Sequence, residues 1–185
     1  MIGAMAIWPD RVYSWGTTGA ERSRQYPCDL LLAEPDEAMY RAVDVEAPAA
    51  TLFLWICQLR LAPYSYDRID NFGRQSPRRL VPGIDRLEIG QEFMRIFELV
   101  TFEPGRSVTL AATRPRSARS VVSYVAEDRG PDRSRLLVKY SVSYGSRWAA
   151  VPMRLILPPG DLIMMRRQLL NLKHLAGRTG TAELG

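Results

Sequence analysis

The hydrophobic positions of residues 159–177 recur with the period of an α-helix. At about 100° per residue, the apolar side chains share an arc of roughly 160°; they are Leu162, Met164, Met165, Leu169, Leu172, Leu175 and Ala176. The opposite face is polar and basic, with Arg166, Arg167, Asn171, Lys173 and His174. A helix this one-sided needs an apolar surface to pack against. We therefore predict a long C-terminal helix that packs on a sheet.

The strands of that sheet are predicted between residues 39 and 144. Alternation is clearest at 135–144, where Leu136, Val138, Tyr140, Val142 and Tyr144 share one face. Turn signals separate the other segments with strand character, which are 39–47, 84–90, 92–102, 106–113 and 120–127. Short connections between consecutive strands favour an antiparallel meander.

Helical segments are predicted on both sides of the meander. Residues 49–59 follow Pro48 and are apolar almost all round, which is typical of a buried helix. Residues 66–72 read as a second short helix that ends at Gly73. Residues 148–157 fit either a last strand or a short helix that is stopped by the two prolines at 158 and 159. This order of elements predicts an α+β fold.

The chain is predicted to form one domain, 39–177, with an extension at each end. Residues 1–38 read as an arm packed on the domain, with a short helix near 20–25, and 178–185 as a disordered tail. The N-terminus has no basic region before its apolar run, so we expect no signal peptide. No apolar stretch reaches the ~20 residues that span a bilayer. We expect a cytoplasmic protein without integral membrane association.

The net charge of +5 comes from scattered arginines. A nucleic-acid surface would gather them on one face with aromatic side chains between them, and no zinc-finger or RNA-binding motif is present. We therefore expect no nucleic-acid partner, while a weak attraction to an acidic membrane surface stays open.

Residues for catalysis or metal binding are few. His174 is the only histidine and lies on the polar side of the helix, which disfavours a Ser-His-Asp or Cys-His site. Cys28 and Cys57 are far apart and have no second ligand nearby, so we read them as reduced thiols. Asp67 reads as a helix cap, and Asp67 with Asp70 as an exposed helix start. We predict no catalytic residue, no metal and no cofactor.

The run RAVDVEAPAATLFLWICQLRLAPYSYDRIDN at 41–71 resembles the SRPBCC superfamily, also called START-like or Bet v 1-like. The likeness is greatest to bacterial members related to polyketide cyclases, and Trp15, residues 26–29 and residues 165–173 share it. The resemblance implies a helix-grip fold, in which a curved antiparallel sheet of about seven strands wraps around the C-terminal helix, with two short helices after the first strand. It also implies a cavity between sheet and helix that accepts lipids, sterols or polyketides.

Candidate cavity residues are aromatic, flexible or polar side chains on the predicted inner faces. Tyr140 is favoured because it lies on the apolar face of the clearest strand. Gln168 lies inside the apolar arc and needs a partner, which a ligand, a backbone group or a water would supply. The full set is Trp55, Tyr64, Tyr66, Val138, Tyr140, Tyr144, Trp148, Met164, Met165, Gln168, Leu169 and Leu172.

Three hypotheses about function stay open under this resemblance. The first is a module that binds an apolar small molecule in the cavity. The second is a cyclase- or aromatase-like enzyme, which would need an ionisable residue such as Glu98 or Arg95 deep in the cavity. The third is a protein-interaction domain whose interior is filled. The rich apolar faces and the poor set of acid–base residues favour binding, although one fold hosts many functions.

Overall fold

The computed structural model describes residues 7–66, 73, 75–113 and 118–182. An N-terminal arm of short helical turns leads into a sheet, and a long helix follows the sheet. In chain order the elements are α1 (Asp10–Tyr13), α2 (Gly19–Ser23), a 3₁₀ turn (Pro27–Leu30), β1 (Glu37–Val45), α3 (Ala49–Cys57), a second 3₁₀ turn (Gln58–Arg60), β2 (Glu92–Phe93), β3 (Phe97–Glu103), β4 (Ser107–Ala112), β5 (Ala118–Asp128), β6 (Ser134–Tyr144) and α4 (Arg147–Ala182).

The strands form one antiparallel sheet in the order β1-β6-β5-β4-β3-β2. The first strand pairs with the last, so that Arg41 lies opposite Val138 and Val45 opposite Ser134. The sheet curves around α4, and α3 packs beside α4 on the same side. The predicted α+β helix-grip is therefore confirmed, with six strands among the described residues rather than about seven.

Residues 84–90 were expected to form a strand, but they form successive turns. Gly83 and Gly90 at the two ends have positive φ angles of 74° and 87°, which extended strands do not contain. The Nη1 of Arg60 donates to the carbonyl oxygens of Ile84 and Arg86, at 3.2 and 3.1 Å. A side chain thus satisfies backbone groups that a neighbouring strand would otherwise pair.

The predicted strand at 92–102 is divided into β2 and β3. Met94 and Arg95 lie in the turn between them, with φ angles of 49° and 65°. Neither residue is a glycine, so the sequence carried no signal for a tight turn there.

The last helix begins earlier than predicted, because residues 148–157 are helical and α4 passes through Pro158 and Pro159 without a break. Pro158 has no N–H to bond the carbonyl oxygen of Arg154 four residues before it. The indole Nε1 of Trp8 donates to that oxygen instead, at 3.3 Å. An arm residue thus supplies a bond that the proline removes. At its other end α4 continues to Ala182, into the predicted tail.

The concave face of the sheet is filled by side chains of α3 and α4. Leu169, Leu172 and Ala176 of α4 are fully buried. They share one core with α3 and with the inward-facing residues of the sheet, among them Leu52, Trp55, Ile56, Leu99, Val108, Leu110, Leu136 and Val138. A side chain with 0% exposure touches no space wide enough for a water molecule. The interior beneath this part of α4 is therefore closed.

The arm covers the convex face of the sheet. Tyr26 and Cys28 pack with Ala42, Val121, Val125 and Leu137 in a second core. The backbone N–H of Cys28 donates to Ser123 Oγ at 2.9 Å, and Lys139 pairs with Asp29 at 2.5 Å. Cys28 and Cys57 are both free and buried, and burial raises the pKa of Cys57 to about 12.

No helix within the described ranges combines the length and the apolar character needed to cross a membrane.

The arm also joins the edge of the sheet at Gly16. The N–H of Ala42 donates to the carbonyl oxygen of Trp15 at 3.1 Å, and Gly16 has a φ of +79°. A Cβ on Gly16 would lie 2.1 Å from the carbonyl oxygen of Ala42. That distance is far below van der Waals contact, and the obstacle is backbone that cannot rotate away.

We predict that Gly16→Ala lowers the free energy of unfolding by about 1–3 kcal/mol, because it adds both a clash and a left-handed conformation. Urea unfolding measures the change. Gly19→Ala is the matched control, since nothing lies within 4 Å of its Cβ position and φ is ordinary. Equal effects of the two substitutions would show that the arm does not pack on β1 as described.

Candidate functional site

A buried ion pair joins the sheet to α4. Arg41 shares the inward face of β1 with Val43 and Val45, and its Nη2 lies 2.6 Å from Oδ2 of Asp161. The two side chains are 1% and 7% exposed. The Nη1 of Arg41 donates to the carbonyl oxygen of Tyr40 at 2.8 Å. The pair therefore fixes α4 against the first strand.

Burial dominates the electrostatics of this pair. It raises the pKa of Asp161 to about 6, and the Arg41 guanidinium opposes the shift. Burial also lowers the pKa of Arg41. The same loss of hydration raises the pKa of the half-buried Tyr140. The cyclase-like alternative required an ionisable residue such as Glu98 or Arg95 deep in the cavity, but both of these are exposed.

The strand register explains the exposure of Glu98, and a turn explains that of Arg95. Glu98 alternates with the inward-facing Leu99 on β3, and Arg95 lies in the turn before β3. Sequence analysis missed Arg41, although one signal was present: it is in phase with the apolar positions of β1.

Gln168 is the polar residue inside the apolar arc of α4, and it needs hydrogen-bond partners. Its Nε2 donates to the carbonyl oxygen of Pro63 at 2.6 Å, and its Oε1 accepts from the hydroxyl of Tyr124 at 2.8 Å. One turn later, Nδ2 of Asn171 donates to the carbonyl oxygen of Tyr64 at 2.7 Å. Protein groups therefore satisfy the amide of Gln168, and two bonds hold residues 63 and 64 against α4.

A second buried amide, Gln58, holds the next part of this segment. Its Nε2 donates to the hydroxyl of Tyr64 at 2.7 Å, and its Oε1 accepts from the N–H of Val81 at 2.9 Å. The hydroxyl of Tyr64 in turn donates to the carbonyl oxygen of Pro77 at 2.7 Å. Tyr64 also packs edge-on against Trp55, with ring centroids 6.0 Å apart. Residues 63–66 and 76–81 are thus anchored to the end of α3.

A groove of about 1000 Å³ lies between this anchored segment and the flank of α4. We call it the arginine groove, because four of its lining residues are arginines and no described lining residue is acidic. The lining consists of Tyr64, Ser65, Tyr66, Ser76, Arg78, Arg79, Leu80, Arg167, Asn171, His174, Leu175, Arg178 and Thr179. Aromatic and leucine side chains thus stand beside a concentration of positive charge.

The predicted cavity residues divide into separate groups. Val138, Leu169 and Leu172 are 0% exposed, Trp55 is 1% and Gln168 is 3% exposed. A ligand reaches these five only if the core opens. Tyr66, which is 38% exposed, lines the arginine groove instead; Tyr64 also borders the groove, but it is only 2% exposed.

The remaining predicted residues lie toward the first half of α4. Met164, Met165 and Tyr140 are half-buried, and the hydroxyl of Tyr144 donates to Oε2 of Glu37 at 2.5 Å. Trp148 is 91% exposed and joins neither group. The predicted helix at 66–72, with Asp67 and Asp70, lies outside the described residues except for Tyr66.

Sequence analysis missed the arginines of the groove. Arg78 and Arg79 are adjacent, and Arg167 follows Arg166, but these pairs lie far apart along the chain. The bonds of Gln58, Gln168 and Asn171 bring the two segments together.

Comparisons with known proteins bear on the fold. No protein-family model matches the chain. No curated protein is significantly similar to it in sequence. Among solved structures, the crystal structure of a hypothetical protein from Helicobacter pylori is 15% identical, with a TM-score of 0.51 over 83% of this chain and 96% of that one. The chain therefore shares its helix-grip fold with that protein.

Two further structures align over a similar length. A solution structure from Thermobifida fusca is 13% identical, with a TM-score of 0.50 over 76% of this chain and 93% of that one. Norcoclaurine synthase from Thalictrum flavum is 11% identical, with a TM-score of 0.47 over 77% of this chain and 95% of that one. Identities this low concern the helix-grip architecture and carry no activity over to this chain.

The buried ion pair gives a prediction about stability. Arg41→Met leaves the carboxylate of Asp161 buried without its partner, so we expect the free energy of unfolding at about pH 8 to fall by about 3–5 kcal/mol. The double variant Arg41→Met/Asp161→Leu replaces both charges and recovers most of that loss. Breaking the exposed pair Arg106–Glu103 by Arg106→Gln changes the value by less than about 1 kcal/mol. A double variant as unstable as Arg41→Met would contradict the assignment.

The pH dependence follows from the raised pKa of Asp161. A group whose pKa rises on folding stabilises the folded state most below its unfolded pKa of 3.8, and that contribution is lost as the pH rises through about 6. Without Arg41 the pKa of Asp161 rises further, and the loss then extends to higher pH. The destabilisation by Arg41→Met should therefore be smaller at about pH 5 than at about pH 8. Unfolding curves at both pH values test this, and a constant difference would exclude Asp161 as the titrating group.

Proposed function

We propose that this protein binds an apolar small molecule that carries an acidic group, and that the arginine groove is its site. The observation that carries the proposal is the composition of the groove: Arg78, Arg79, Arg167 and Arg178 beside Tyr64, Tyr66, Leu80 and Leu175, with no acid among the described lining residues. A fatty acid or an acidic polyketide has this chemistry.

The arginines of the groove suit the acidic group of such a ligand, and its tyrosine and leucine side chains suit the apolar part. Guanidinium groups bind carboxylates and phosphates through two parallel hydrogen bonds, which are stronger and more directional than those of neutral donors. Tyrosine and leucine side chains supply the apolar contacts that small-molecule pockets use. The volume of about 1000 Å³ lies at the upper end of the usual range for such sites.

The closed interior supports the groove over the cavity expected between sheet and helix. A ligand beneath α4 would have to displace Leu169 and Leu172, both at 0% exposure, and to break the bonds of Gln168. Leaving such polar groups unpaired costs roughly 1–3 kcal/mol each. The arginine groove accepts a ligand without those costs.

A cyclase-like enzyme, the alternative function, would require an ionisable group that a substrate can reach. Asp161 has the raised pKa that such a role requires, but its carboxylate is 7% exposed and already paired with Arg41. We therefore give the pair a structural role and assign no catalytic residue.

Isothermal titration calorimetry with dodecanoate and dodecanol tests the proposal. The two ligands share an apolar chain and differ in the acidic group. We predict that dodecanoate binds at least roughly tenfold more tightly, because charge-assisted hydrogen bonds to arginine are worth more than neutral ones. Equal affinities would contradict an anionic site.

Two neighbouring arginines on α4 provide a matched pair of variants. Arg167 lines the groove, whereas Arg166 lies outside it, over the ring of Trp15 at 5.6 Å. Arg167→Gln should weaken dodecanoate binding roughly tenfold, and Arg166→Gln should leave it within about twofold. Equal losses in both variants would indicate a general effect of positive charge and would exclude the groove as the site.

A further inference from the structure

The first half of α4 exposes a continuous apolar surface, which we call the apolar stripe. Its members are Trp148 (91% exposed), Val151 (62%), Leu155 (47%), Ile156 (69%) and Ile163 (57%). At about 100° per residue they fall within an arc of roughly 140° around the helix. From Trp148 to Ile163 the stripe extends for roughly 22 Å. Nothing in the described part of the chain covers it.

The charges of α4 are almost all of one sign. Between residues 147 and 182 the sequence has six Arg or Lys residues and a single acid, Asp161. Asp161 is buried against Arg41, so it does not offset positive charge at the surface. Among the basic residues, Arg154 pairs with Asp36 at 3.6 Å. Arg166 and Arg167 are exposed and follow the stripe directly.

An exposed apolar stripe beside exposed positive charge is the pattern of a helix that lies in a membrane interface. A second copy of this chain would bring two basic helices together, and each copy carries a net charge of +5. An acidic lipid surface offers negative head groups for the arginines and an apolar layer for Trp148 and the isoleucines. Charge complementarity therefore selects the lipid surface over self-association.

We propose that the apolar stripe docks this protein peripherally on acidic membranes, with α4 parallel to the surface. The stripe enters the boundary between head groups and acyl chains, and Arg166 and Arg167 contact the lipid phosphates. The proposal rests on the exposure and charge of α4 alone and does not depend on a ligand in the arginine groove.

Co-sedimentation with vesicles tests the docking. We expect binding to vesicles of equal parts phosphatidylcholine and phosphatidylglycerol, little binding to phosphatidylcholine alone, and release as salt is raised. The triple variant Trp148→Ser/Ile156→Ser/Ile163→Ser should bind the acidic vesicles roughly tenfold more weakly or worse, because affinity scales with buried apolar area.

A control variant removes exposed apolar surface elsewhere. Leu30, Ile89 and Ile96 are 78%, 62% and 61% exposed and lie outside α4, so Leu30→Ser/Ile89→Ser/Ile96→Ser should bind like the wild type. Unfolding curves establish that both triple variants fold. The proposal is overturned if the wild type does not bind acidic vesicles at low salt, or if the two triple variants bind equally. It is also overturned if the stripe mediates a dimer that the first triple variant abolishes and that does not bind vesicles.

Discussion

The structure depends on the burial of one face of α4 inside a curved sheet. Leu169, Leu172 and Ala176 bring enough apolar surface to close the interior, and the two buried polar side chains of α4 that enter with them have protein partners. Gln168 is paired with Tyr124 and Pro63, and Asp161 with Arg41. Because an unpaired buried polar group is costly, these pairings set both the rotation and the depth of the helix. The helix can bind the sheet in one orientation only.

That constraint leaves the proposed ligand site outside the closed interior. The bonds that close the interior also anchor residues 63–66 and 76–81 beside α4, and the space left between them is the arginine groove. The two exposed surfaces of α4 then have distinct chemistry: the groove is cationic with aromatic walls, and the first half of the helix is apolar. Arg167 lies where they meet. A protein that takes an acidic, apolar molecule from a membrane would need both surfaces close together.

The sequence predicted those elements whose signal is local. The period of 159–177 gave the helix and its buried face, and alternation at 135–144 gave β6. Hydrogen bonds from side chains that are distant in sequence could not be predicted. Pro158 reads as a helix stop unless one knows that Trp8 supplies the missing donor, and 84–90 reads as a strand unless one knows that Arg60 satisfies its carbonyl groups. The arginine groove could not be predicted either, because its two walls are about ninety residues apart in the chain.

The central claim is that the interior stays closed while the flank of α4 binds the ligand. Methyl NMR of the leucine-labelled protein during titration with dodecanoate tests it most directly, because leucines mark both places. Leu80 and Leu175 line the groove, whereas Leu169 and Leu172 lie in the closed core. The account predicts that the methyl signals of Leu80 and Leu175 shift in proportion to occupancy while those of Leu169 and Leu172 stay in place. Large shifts at Leu169 and Leu172 with none at Leu80 and Leu175 would show that the sheet and helix open around the ligand, and would contradict it.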